Sequence, residues 1–181
     1  ERFRGGWYIG GVDLSETTDL TSARAVFYDP ATRKKYSITR YFVPEAKADA
    51  ALSDINGTNP ERKDYREWAR KGMVTIIPGN EIDDSYISDW FWQLYKQYGI
   101  RPYRIGYDRR DAKNLVKQLK EMFGEEVPVM VPQKTETLSN PMRVLEADLA
   151  TKDFIYHNDL CAGKINEMDV WCLENTACDT N

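Results

Sequence analysis

Trp7-Tyr8-Ile9-Gly10-Gly11-Val12-Asp13 decides how this chain is read. The apolar run predicts a short buried strand that delivers an aspartate at its carboxyl end. Downstream, Ala23-Arg24-Ala25-Val26-Phe27-Tyr28 alternates as a second strand, and Asp29-Pro30 makes a turn. Residues 35–43, Lys35-Tyr36-Ser37-Ile38-Thr39-Arg40-Tyr41-Phe42-Val43, are rich in β-branched and aromatic side chains. Three consecutive strands of this kind predict an antiparallel meander.

The pattern then changes to alternating helices and strands. Residues 44–58 have no strand period and read as a mobile excursion. Asn59-Pro60-Glu61 predicts a helix start, with Gly72 as its stop and Met73-Val74-Thr75-Ile76-Ile77 as the next strand. Ile87, Trp90, Phe91, Leu94 and Tyr98 recur on one helical face closed by Gly99, a stripe that reads as core. Tyr103-Arg104-Ile105-Gly106-Tyr107 is the following strand and delivers Asp108, with Asp111 placed to cap a helix through Leu115, Val116, Leu119 and Phe123 to Gly124. Val127-Pro128-Val129-Met130-Val131 reads as a strand whose proline suggests a sheet edge, and Asn140-Pro141 as the opening of a last helix through Met142, Leu145 and Leu149. A three-stranded meander followed by alternating helices and strands predicts one mixed α/β sheet in the ribonuclease H-like order.

Composition bounds the function. The 181 residues, 41% of them hydrophobic, suffice for one sizeable core, so residues 1–181 are expected to form a single domain. With 29 acidic against 25 basic side chains the net charge is −4, so nucleic acid would need a local patch or bound cations. Cys161, Cys172 and Cys178 form no CxxC pair, which fits a reducing compartment better than a disulfide framework or a structural zinc site. No apolar run approaches the roughly 20 residues of a membrane span, and Glu1-Arg2-Phe3-Arg4 does not open a signal peptide. A cytoplasmic protein is expected.

Asp13 and Asp108 each follow an apolar strand, where side chains point into the crevice beyond the strand ends. If the two strands are neighbours, the carboxylates converge and repel, and Mg²⁺ or Mn²⁺ with its preference for oxygen ligands relieves that repulsion. Two such ions about 4 Å apart would serve phosphodiester cleavage. Aspartate after a strand is also ordinary turn chemistry, so spacing alone suits two aspartates that only cap turns better than a metal pair. Asp19, near the first turn, reads as exposed, and His157 as a surface or boundary residue. Arg109, Arg110 and Lys113, with Lys117 and Lys120, could rim a phosphate-binding groove, as could Arg33-Lys34-Lys35 at a hairpin tip; a solvated helix face fits as well.

Several segments add a resemblance. Gly10-Gly11-Val12-Asp13-Leu14-Ser15 with Asp19-Leu20-Thr21-Ser22-Ala23 resembles the start of the nuclease domain of phage terminase large subunits. Ile105-Gly106-Tyr107-Asp108-Arg109 with Ala112 resembles that family's second acidic strand. Pro132-Gln133, Leu138-Ser139, Pro141-Met142 and Leu145-Glu146 resemble its segment into the last helix. His157, Asn166, Trp171 and Asn175 resemble the stretch beyond it, with Glu167 where a proline is usual.

The resemblance implies a two-metal endonuclease that cuts double-stranded phage or prophage DNA during packaging in the bacterial host. Asp13 and Asp108 would hold Mg²⁺ or Mn²⁺, and the terminase small subunit and portal protein would be partners. It also implies an ATPase motor, for which the chain carries no GxxxxGK[ST] loop. A third acid is implied near the family's carboxyl end, where neither Asp169 nor Asp179 matches well and the residue is expected beyond Asn181. Two other classes fit the residues: another ribonuclease H-like nuclease of resolvase or transposase type, and a non-catalytic module that docks DNA or a packaging partner.

Overall fold

The computed structural model describes residues 2–15, 20–50, 63–108, 112–156 and 167–174. The meander is formed by β1 (Trp7–Asp13), β2 (Thr21–Asp29) and β3 (Lys34–Pro44). Both pairings are antiparallel, with Ile9 opposite Val26 and Val26 opposite Ser37. Strict alternation of buried and open residues in β2 shows why the segment is a strand: Thr21, Ala23, Ala25, Phe27 and Asp29 all turn to one face.

After the meander come α1 (Glu45–Ala48), α2 (Tyr65–Arg70), β4 (Val74–Ile77), α3 (Asp84–Tyr98) and β5 (Arg101–Tyr107). The chain continues through α4 (Lys113–Phe123), β6 (Pro128–Met130), α5 (Thr135–Ala150), β7 (Phe154–Tyr156) and α6 (Glu167–Glu174). One mixed sheet results, in the order β4-β3-β2-β1-β5-β6, with β7 pairing the far end of β3. β1 and β5 are parallel and adjacent, as are β5 and β6. Parallel neighbours need a crossover, and α3 supplies the one into β5.

Two cores lie on opposite faces. On the first face Tyr8, Val12, Ala23, Ala25, Phe27, Phe42 and Ile105 meet Ile87, Trp90, Phe91 and Leu94 of α3 and Leu115 and Leu119 of α4. On the second, Tyr41, Val43 and Val74 meet Tyr65 and Trp68 of α2 and Met168 of α6. Asp169 of α6 is buried there, accepting from the Tyr41 hydroxyl and from Arg24 Nη2 at 3.1 Å.

The elements correct four expectations. Residues 45–48 form α1, with Lys47 and Ala48 buried, so the first part of the 44–58 excursion is helical; residues 51–62 lie outside the described residues. Asn59-Pro60 lies there too, and α2 is capped by Asp64, whose carboxylate accepts from Glu67 N at 2.8 Å. Asp111 is likewise undescribed; Ala112 holds the α4 N-cap position, and Asp84 of α3 accepts from Leu115 N at 3.1 Å in place of a local cap. Finally, α5 starts at Thr135 and contains Pro141 in its interior. The proline removes one intrahelical donor, a loss tolerated in a helix none of whose residues is buried. Gly99 and Gly124 end α3 and α4 with positive φ, as expected.

Gly10 shows how closely α3 seats on the sheet. A Cβ there would lie 2.9 Å from Ile105 Cγ1 and 3.3 Å from Phe91 Cε1. Gly10→Ala should therefore cost about 1–3 kcal/mol in urea unfolding. Gly11→Ala, whose Cβ would meet nothing within 4 Å on the other face, should stay within about 0.5 kcal/mol. Equal losses would contradict the packing described.

Candidate active site

Asp13 is the last residue of β1, and Asp108 follows the last residue of β5. The parallel register pairs Gly10 with Ile105, Gly11 with Gly106 and Val12 with Tyr107, so the next residues on the two strands are the two aspartates. Neighbouring strands are about 4.8 Å apart, which puts the carboxylates side by side beyond the carboxyl ends of two central strands. Asp13 shares its face with Trp7, Ile9 and Gly11, opposite the α3–α4 core, and stays open to solvent. Partial desolvation and, after it, the negative charge of Asp108 raise the Asp13 pKa above the ordinary carboxylate value.

Among the other candidates, Lys113 is exposed at the start of α4, five residues beyond Asp108. Arg109 and Arg110 lie outside the described residues, as do Asp19 and His157. Lys117 pairs with Glu121 at 4.0 Å and Lys120 with Glu125 at 2.6 Å, so these two α4 lysines are partly neutralised by acids close in sequence. The Arg33 region sits at the β2–β3 turn, the end of the meander away from Asp13, since Asp13 pairs with Ser22 while Asp29 pairs with Lys34. Lys35 there is bound to Asp148 of α5. Trp171 packs on Trp68 at 5.7 Å between ring centres, a role in the second core.

A cleft of about 670 Å³ begins just past Asp13. It is lined by Leu14, Ser15 and Thr21, by Ile82 and Asp83 before α3, and by Asn114 and Gln118 of α4. Sequence reasoning missed it because its walls come from three separated segments. Among the described residues no group of three or more His, Cys, Asp or Glu side chains is arranged to hold a metal ion, so Asp13 and Asp108 stand as a pair.

A mixed sheet with two aspartates at neighbouring parallel strand ends is a ribonuclease H-like arrangement, and the likeness to a solved structure agrees. The crystal structure of the HK97 bacteriophage large terminase aligns with a TM-score of 0.68 at 17% identity, over 82% of this chain and 29% of that one. In sequence, Protein YmfN of Escherichia coli (strain K12) is 26% identical over 179 residues, 97% of this chain and 36% of that protein. The family model of the terminase large subunit, endonuclease domain, matches residues 2–175, and the chain belongs to that family. It spans about a third of the length of the relatives it matches.

The raised Asp13 pKa has a definite sign in stability. The folded state holds its proton to higher pH than the unfolded chain, so this group's contribution weakens folding as pH rises from the ordinary carboxylate range through the raised value. Asp108→Asn should lower the Asp13 pKa and flatten that part of the stability curve. Carboxyl-detected NMR titration measures it, and an unmoved Asp13 would mean that the two groups do not interact.

Proposed function

We propose that this chain is the DNA-cutting domain of a phage or prophage terminase large subunit, a Mg²⁺- or Mn²⁺-dependent endonuclease that hydrolyses double-stranded DNA during genome packaging. The observation that carries the reading is the β1–β5 register, which brings Asp13 and Asp108 together from positions far apart in sequence. Membership of the terminase endonuclease family supports the reaction class. Residues 1–181 would act as one nuclease domain, in the cytoplasm of the bacterial host.

The donor set fits hard divalent cations: two carboxylates at one solvent-open end of the sheet, one with its pKa raised in part by the other. Two such ions supply charge that stabilises the attacking and leaving oxygens of phosphodiester hydrolysis. Asp13 and Asp108 offer oxygens from two rigid strand ends, which fixes their separation before substrate arrives. Lys113, with Arg109 and Arg110 next to Asp108 in sequence, would attract phosphates to this end. Recognition through backbone charge carries little base preference. Terminase small subunit, portal protein and an ATPase motor complete the proposed assembly.

A second reading, a module that docks DNA or a packaging partner without cutting, is favoured by the count of two gathered carboxylates among the described residues. Plasmid cleavage in Mn²⁺ separates the two. Nicking or linearisation that either Asp13→Ala or Asp108→Ala reduces at least 100-fold supports the nuclease. Undiminished cutting by both variants removes the site. Intact DNA binding with no cutting in any divalent ion favours the docking module.

A further inference from the structure

Among the described residues the second sheet face is covered over β3 and β4 by α2 and α6, while β1 keeps an open face that ends at the acid pair. Trp7 and Ile9 of β1, Tyr28 of β2 and Tyr103 of β5 are each more than half exposed, at 61%, 59%, 55% and 58%. Large side chains exposed together on one strand group mark a binding surface more often than chance exposure does.

The charge pattern along this surface is asymmetric. By register, the positions of the face are Trp7, Ile9 and Gly11 on β1, Val26 and Tyr28 on β2, and Arg104 and Gly106 on β5, with Tyr103 the extra residue where the β1–β5 register shifts. None is acidic until Asp13 and Asp108 at the far end. Arg104 lies 4.7 Å over the Tyr103 ring, and Arg101 lies 4.8 Å over Tyr95 at the foot of β5. Among the described residues Arg104 pairs with Glu126, which is 88% exposed and 3.9 Å away. From Trp7 to Asp13 the track runs six residue steps, about 20 Å, enough for several nucleotides.

We propose that this open face is a single-strand track: an unpaired segment of DNA lies along β1 and β5, a phosphate on Arg104 and its bases against Trp7 and Tyr103. The occupant is a single strand because a duplex hides its base faces, whereas exposed rings on a sheet beside an arginine suit unstacked bases. The bare backbone at Gly11, where a Cβ would meet nothing within 4 Å, leaves room for the strand to approach the carboxylates. The track rests on the nuclease reading, and gives that site a place to hold a strand end or a locally opened duplex beside the cut.

The test is binding of a fluorescent single-stranded oligonucleotide in EDTA, where no cutting occurs, with a duplex of the same sequence as the comparison. Trp7→Ala/Tyr103→Ala should weaken single-strand binding roughly ten-fold and duplex binding much less. Arg104→Ala should lower the slope of log affinity against log salt by about 0.7, for one phosphate on a single strand. Unfolding curves on both variants establish that they are folded, and Trp7→Phe/Tyr103→Phe should retain binding. Unchanged single-strand affinity in both alanine variants, or equal loss on strand and duplex in the aromatic one, overturns the track. Loss of binding by these variants in a protein that never cuts upholds the track and rejects the nuclease; undiminished binding in a protein that cuts does the reverse.

Discussion

The parallel pairing of β1 with β5 is the contact on which the molecule depends. Parallel neighbours cannot be joined by a hairpin, so after β4 has added to the meander beside β3 the chain crosses over as α3 and re-enters on the other side, next to β1. That return is possible only because α3 lies almost on the sheet at Gly10, where Phe91 and Ile105 occupy the space that a side chain would need. The same pairing sets the register of the strand ends. A slip of one residue in β5 would turn Asp108 toward the opposite face and separate it from Asp13.

The two faces of the sheet serve different ends. The α3–α4 face is filled by apolar side chains, tied at one end where Asp84 of α3 accepts from the first turn of α4 and again where Ser88 donates to Gln118 at 2.8 Å. The other face is filled over β3 and β4 alone. Its coverage ends at a buried polar cluster, in which Asp169 of α6 holds Arg24 and the Tyr41 hydroxyl. Burial drives the Tyr41 pKa up, and its hydrogen bond to Asp169 adds to that, so it serves as a neutral donor there. Beyond this cluster the β1 surface is left open, with the carboxylates at its end.

Family membership and geometry carry different weights. The family model covers nearly the whole chain, and the HK97 terminase shares the fold at 17% identity. Low identity with a shared fold is what results when packing constrains the framework more than the individual side chains. The chain accounts for about a third of the length of each relative.

The sequence by itself determined the local elements, because their signals are local. Alternation in Thr21–Asp29, the stripe from Ile87 to Leu94 and the glycine stops at Gly99 and Gly124 each lie within one or two turns or strands of chain. It also marked Asp13 and Asp108 as strand-end acids, and the family resemblance tied them together. Where local signals compete they misled: Asn140-Pro141 looks like a helix start, yet α5 already runs from Thr135. Beyond Lys152 the local signal is weak, since β7 is three residues long and α6 is held by Met168 and Asp169 against strands far away in sequence. Only the tertiary structure decided that β5 lies against β1, that Arg24 meets Asp169 across 145 residues, and that one face stays open. Such contacts depend on which distant segments exclude water together, and no short window of residues contains that information.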